Sequence, residues 1–142
     1  MSVEANKRLI RLFYQAIDNG DLDAMDVLVA EDYKDHSPPL PSLAPGREGL
    51  KQAFRLFWEA KPGTHEIEDQ IAEGDKVVTR LTARGIHKGD LPGIPATGKS
   101  VTMTATVIHR IENGRLAEKW SDKDLHGFLA QLKVTEKSHL AP

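Results

Sequence analysis

Glu118, Trp120, Asp122 and Asp124 occupy every second position of a short run rich in charge. In an extended strand such residues share one face. Asn113-Gly114, just upstream, suits a two-residue type I′ turn, because both central positions of that turn need positive φ. If Glu112 faces Arg115, the register puts His109 opposite Glu118, Val107 opposite Trp120, Ala105 opposite Asp122 and Met103 opposite Asp124. A sheet face that is half apolar and half acidic suits a pocket better than a plain core. Its carboxylates are the groups to examine for proton transfer. A single bulge after Trp120 would instead turn Ser121 and Lys123 inward.

The elements that position this face follow from hydrophobic periodicity. Leu9, Ile10, Phe13, Tyr14 and Ile17 recur at helical spacing, with Asn19-Gly20 as the stop. Asp21 can cap a second helix whose stripe is Leu22, Met25, Leu28 and Val29. From Asp32 to Pro45, four prolines and His36-Ser37 predict a loop. A third helix starts near Gly46 to Glu48, buries Leu50, Ala53, Phe54 and Phe57, and ends at Pro62-Gly63. His65 to Ala72, Lys76 to His87, Val101 to Glu112 and Arg115 to Lys123 read as strands. A last helix carries Leu125, Phe128, Leu129 and Leu132, and residues 133–142 read as a loose tail. Helices followed by consecutive strands predict an α+β layer. Short connections between the strands predict that the sheet is antiparallel.

The 142 residues suit a single domain, with a core over about 5–132 that folds without staples. Cysteine is absent, which excludes disulfides and thiolate metal sites and points to the cytoplasm. A formal net charge of −2, with Lys and Arg scattered among acids, gives no footprint for nucleic acid. Neither a leader peptide nor a membrane span is legible.

Gly93-Ile94-Pro95-Ala96-Thr97-Gly98-Lys99-Ser100 matches the phosphate-loop pattern G-x-x-x-x-G-K-[ST]. That mechanism needs a helix after the loop, so that backbone N–H groups converge on phosphate. The β-branched run Val101 to Val107 follows instead, and Pro95 removes a donor, so no nucleotide partner is expected. Asp18, Asp21, Asp23 and Asp26 lack the spacing of a calcium loop. The six histidines contain no H-x-x-x-H pair, and no metal is expected. His36 and His87 sit where regular structure gives way to loops, the places where functional side chains concentrate. Asp124 immediately precedes the last helix and is a natural N-cap, whereas Asp122 has no comparable structural duty.

Together these pieces resemble the SnoaL-like polyketide cyclase family, within the nuclear transport factor 2-like superfamily that also contains ketosteroid isomerases. The resemblance covers roughly Ala5 to Leu132. It rests on Asp32-Tyr33 with His36-Ser37-Pro38, Gly46-Arg47-Glu48-Gly49, Glu73-Gly74-Asp75-Lys76-Val77-Val78, Gly85 with His87 and Gly89, Gly93-Ile94-Pro95 with Thr97-Gly98-Lys99, and Arg110-Ile111, Gly114-Arg115, Trp120 and Asp124. It implies a cone of N-terminal helices on a curved antiparallel sheet with a short C-terminal helix, an apolar pocket, a homodimer and no cofactor. In characterised cyclases of this family an aspartate on the last strand removes a C–H proton, and the enolate closes a ring by aldol addition. That aspartate directly follows the position of Trp120, where this chain has Ser121. The family's Gln-x-His helper on the preceding strand aligns with Ala105-Thr106-Val107, while His87 matches a family histidine. Neither Ser121 nor Val107 can act as the base.

The expectation is a pocket for a small, mostly apolar carbonyl compound. Asp122 or Asp124 would be the base, with His36 and His87 polarising the substrate. Trp120, Trp58, Tyr14, Met103, Val107, Ser121 and His109 would line the pocket. A non-catalytic binding or dimerisation module that has lost its base is the alternative.

Overall fold

A computed structural model describes residues 2–91 and 93–132, so the expected tail lies outside the described residues. Helix α1, Val3–Asp18, is capped by the Ser2 hydroxyl accepting from the Ala5 N–H, and it buries Leu9, Ile10, Phe13 and Tyr14. The second helical segment is shorter than its stripe suggests. Asp21 caps a single 3₁₀ turn, Leu22–Ala24, which runs into α2, Met25–Leu28. Val29 already belongs to strand β1, Val29–Asp35, followed by the proline-rich loop 36–45 and helix α3, Gly46–Ala60. Gly49 is required where α3 packs on that loop, because a Cβ would stand 1.9 Å from the Ala44 carbonyl oxygen. Strands β2 (Gly63–Glu73), β3 (Lys76–Ile86), β4 (Ser100–Glu112) and β5 (Arg115–Lys123) precede α4, Leu125–Leu132.

The sheet order is β1-β5-β4-β3-β2. Strands β2 to β5 form an antiparallel meander, but β1 lies parallel to β5, so the sheet is mixed rather than antiparallel. The expected loop from Asp32 hid this edge strand. Its connection to β5 is everything from α3 to β4, long enough for a parallel neighbour.

The Asn113-Gly114 turn has φ of 52° and 73°, as a type I′ turn requires. Glu112 pairs with Arg115 and Ile111 with Leu116, but Arg110 then pairs with Glu118. Ala117 is therefore the extra residue of a bulge, three positions before Trp120. Beyond it the unbulged register fails. His109 lies opposite Lys119, Val107 opposite Ser121 and Ala105 opposite Lys123, with Ile108 opposite Trp120 and Thr106 opposite Asp122. One extra residue exchanges the two faces of β5.

Candidate active site

The inner sheet face builds a cavity floor in cross-strand rows. His65, Ala83 and Met103 form one; Ile67, Leu81, Ala105 and Lys123 the next; and Thr79, Val107 and Ser121 a third. Phe13, Tyr14 and Ile17 of α1, Phe54, Phe57 and Trp58 of α3, the loop 36–45 and Phe128 of α4 enclose a cavity of about 1650 Å³ above them. Its wall is mostly apolar. That volume exceeds the usual span for a small-ligand site, so a ligand of several fused or flexible rings would fit.

The wall also carries charge, from Glu31, Asp32, Lys34, Asp35, Lys61, Arg84, Lys119 and Lys123. Asp18, the last residue of α1, accepts from the His65 backbone N–H at 2.9 Å and meets its Nδ1 at 2.6 Å. His65 lines the cavity with its ring 5.1 Å from that of Tyr14. Across the cavity, Lys119 pairs with Asp35 at 3.4 Å. Among the described residues neither Lys61 nor Lys123 makes an ion pair. Burial lowers the pKa of Lys61, with Asp18 opposing the shift. Burial also pushes Lys123 down to about 8, with repulsion from Lys119 and Lys61 adding to it and Asp35 opposing. Lys123 is an exposed residue that also lines the cavity. Burial holds the Tyr14 hydroxyl well above its usual range, keeping it a donor. The Ser121 Oγ and Tyr33 hydroxyl are buried without a partner among the described residues.

Of the residues expected on the pocket, Trp58, Tyr14, Met103, Val107 and Ser121 line the cavity. The others do not. Trp120 stacks on His36 on the opposite sheet face, ring centroids 4.7 Å apart and planes 2° from parallel. His36 also pairs with Glu118 at 2.7 Å, and Glu118 with Arg110 at 2.6 Å; both contacts hold the Glu118 carboxyl below its usual range. Asp122 is exposed on that same outer face, because the bulge at Ala117 turned it there. Asp124 accepts from the Gly127 N–H at 2.9 Å and is the cap of α4. His87 is wholly buried, and its Nδ1 meets Thr97 Oγ1 at 3.0 Å. Its backbone N–H and carbonyl bond Lys99 and Gly98, so it clamps the connection between β3 and β4. His109 is on the inner face but beneath the cavity, edge-on to Phe13 and Tyr14 at 5.7 and 6.4 Å. Burial, reinforced by Lys119, pushes its pKa down to about 3.

The groups that do face the cavity, His65 with Asp18 behind it and the lysines, were not singled out. Asp18 and His65 are 47 residues apart and share no local motif. The lysines had one legible signal, the conditional bulge that would turn Lys123 inward. The phosphate-loop lookalike is followed by β4, not a helix. Among the described residues no group of three or more His, Asp or Glu converges as a metal site, and no helix is long and apolar enough to cross a membrane.

Helices covering a bent five-stranded sheet over a large, mainly apolar cavity define an α+β cone. Residues 7–132 match the family model for SnoaL-like polyketide cyclases, and the chain belongs to that family. Its structure is similar to that of TsrD from Streptomyces laurentii (30% identity, 93% of this chain and 97% of that one, TM-score 0.84). It is also similar to IdmH from Streptomyces antibioticus (31% identity, 91% and 99%, TM-score 0.77). A candidate polyketide cyclase from Acidithiobacillus ferrooxidans shares 27% identity over 94% and 98% of the two chains, with TM-score 0.81. No protein of curated function matches the sequence.

Proposed function

We propose that the cavity binds a small, mostly apolar carbonyl compound and catalyses cofactor-independent proton transfer at carbon, leading to isomerisation or ring closure. The observation that carries this reading is His65 on a mostly apolar wall, with the Asp18 carboxylate behind it at 2.6 Å. With Nδ1–H donating to the Asp18 carboxylate, Nε2 keeps its lone pair and is the acceptor for a C–H proton. The carboxylate holds the ring in that tautomer and offsets the imidazolium charge as it forms. Enolate charge develops at the same moment on the substrate oxygen. The Tyr14 hydroxyl, kept protonated by burial, and the Lys61 and Lys119 ammonium groups supply donors and positive charge for it. This arrangement would take the place of the aspartate that the family resemblance implies at Ser121. Asp122 and Asp124 take no part, since neither lines the cavity.

Solvent-deuterium exchange into a 1,3-dicarbonyl probe tests the reading. The native protein should promote exchange above the buffer rate, and His65→Asn should lower that promotion by about 10²-fold or more. Equal exchange with native protein and buffer, with the probe still bound, would reject catalysis. Ser121, standing where the family resemblance implies an aspartate, would then support a binding module instead.

The same reading includes a cytoplasmic homodimer. A chain without cysteine suits a reducing compartment. On the outer sheet face Ile71, Val78, Ile108 and Trp120 lie in one cross-strand row, with Ile71 68% exposed. An apolar row with polar residues around it is what a second copy would cover.

A further inference from the structure

Four lysines, Lys34, Lys61, Lys119 and Lys123, line one mostly apolar cavity, and they are not equivalent. Lys119 is held by Asp35 at 3.4 Å. Lys61 lies on the side of Asp18, whose charge acts on it. Lys123 shares its row with Ala105, Leu81 and Ile67, and it has no ion-pair partner among the described residues. An amine beside Lys119 and Lys61 on an apolar row, with Asp35 as the opposing charge, is poorly supported as an ammonium ion, which is the usual means of making a lysine nucleophilic. We propose that Lys123 is a carbonyl-capturing amine: its Nζ adds to a ketone of the bound compound and forms a Schiff base.

The step balances without any further reagent. The Nζ lone pair forms a bond to the carbonyl carbon, and the nitrogen proton passes to the oxygen, giving a carbinolamine. The C–O bond then breaks, water leaves, and a C=N bond remains. Once protonated, that iminium draws electrons from the neighbouring carbon, whose proton goes to His65 Nε2. The resulting enamine carbon can attack a second carbonyl in the same molecule, and water returns the free amine by hydrolysis. The inference rests on the reading of the cavity as a carbonyl-compound site and adds a covalent intermediate to it. Burial and the neighbouring lysines place the Lys123 titration near 8, so about half of this amine is neutral at that pH. An ordinary lysine is neutral in well under one molecule in a hundred there, and a roughly hundredfold advantage remains roughly tenfold after the weaker intrinsic nucleophilicity of a less basic amine.

A simple 1,3-diketone, pentane-2,4-dione, tests this with the full chain at pH 8, because its imine rearranges to a stable enaminone that survives peptide mapping. One adduct, heavier by the probe less one water, is expected on Lys123, forming about tenfold faster than on lysines off the cavity. Lys123→Arg should abolish it, while Lys88→Arg, at an exposed residue off the cavity, should not. Absence of the adduct, or labelling spread evenly over the lysines, overturns the proposal. Deuterium exchange and chemical-shift changes of the same probe, measured in parallel, report the cavity reading separately. Exchange without an adduct sinks the Schiff base alone; neither exchange nor binding sinks the reading beneath it.

Discussion

Asp18 holds His65 at two points, one oxygen on the backbone N–H at 2.9 Å and the other on Nδ1 at 2.6 Å. The carboxylate ends α1 and the imidazole begins β2, so the pair also joins the helical layer to the edge of the sheet. Bidentate contact leaves the ring little freedom to rotate and directs the other nitrogen away from Asp18. Asp18 does not line the cavity, which makes it a positioning residue for His65. Asp18→Asn keeps an acceptor for one N–H but removes the charge. Exchange into the 1,3-dicarbonyl probe should fall by about 10²-fold or more in kcat, with KM for the probe little changed. A purely structural role would lower the amount of folded protein without lowering kcat per folded molecule.

His109 gives stability a dependence on acid. It is fully buried, neither ring nitrogen has a partner among the described residues, and its pKa falls from 6.5 to about 3. Between those values the unfolded chain binds more protons than the folded one. This contribution is therefore complete above about pH 6.5 and drains away as the pH falls toward 3. At pH 5 it amounts to about 2 kcal/mol lost relative to pH 8. Urea unfolding of native protein and His109→Leu at both pH values checks this. The variant should lose less stability on acidification, since leucine has nothing to protonate.

Periodicity carried the helices and the meander because α1, α3 and β2 to β5 each repeat at the period their burial demands. The edge strand β1 was hidden: of its seven residues only Val29 and Tyr33 are buried, and four of the others are charged. Most of the wall was legible, since Tyr14, Met103 and Val107 sit on apolar stripes. The polar part of the cavity was not. A bulge at Ala117 has no compositional mark in Leu116-Ala117-Glu118, yet it decides whether Asp122 or Lys123 looks inward. Asp18 and His65 meet only through tertiary packing. Family aspartate and local acid density both drew attention to Asp122, while the side chain's direction was set five residues upstream.

The outer apolar row predicts the oligomeric state. Ile71 stands 68% exposed beside Val78, and the row continues through Ile108 to Trp120, which is covered in part by His36 and by Lys76 at 5.8 Å. Sedimentation at micromolar concentration should give a dimer. Ile71→Glu would place a carboxylate on that row at each of two symmetric positions, and should weaken association by tenfold or more, about 1.4 kcal/mol or above. A native protein that sediments only as a monomer would show that the row is simply exposed.

The two acids at the end of β5 separate the observed register from the unbulged one. Asp124 accepts from the Gly127 N–H at 2.9 Å, and a Cβ at Gly127 would stand 2.3 Å from the same carboxylate, so cap and glycine fit each other. Asp124→Ala should cost about 1 kcal/mol, whereas Asp124→Asn, which keeps a capping oxygen, should cost only a few tenths. Asp122 is exposed opposite Thr106, so Asp122→Asn should change stability by less than about 0.5 kcal/mol. It should also leave deuterium exchange into the dicarbonyl probe within about twofold of native, because a carboxylate on the far side of the sheet has no access to the substrate. Urea titration and the exchange rate measure both quantities. If Asp122→Asn abolishes exchange in a protein that folds normally, then Asp122 faces the cavity, the bulge at Ala117 is absent, and Ser121 and Lys123 lie outside.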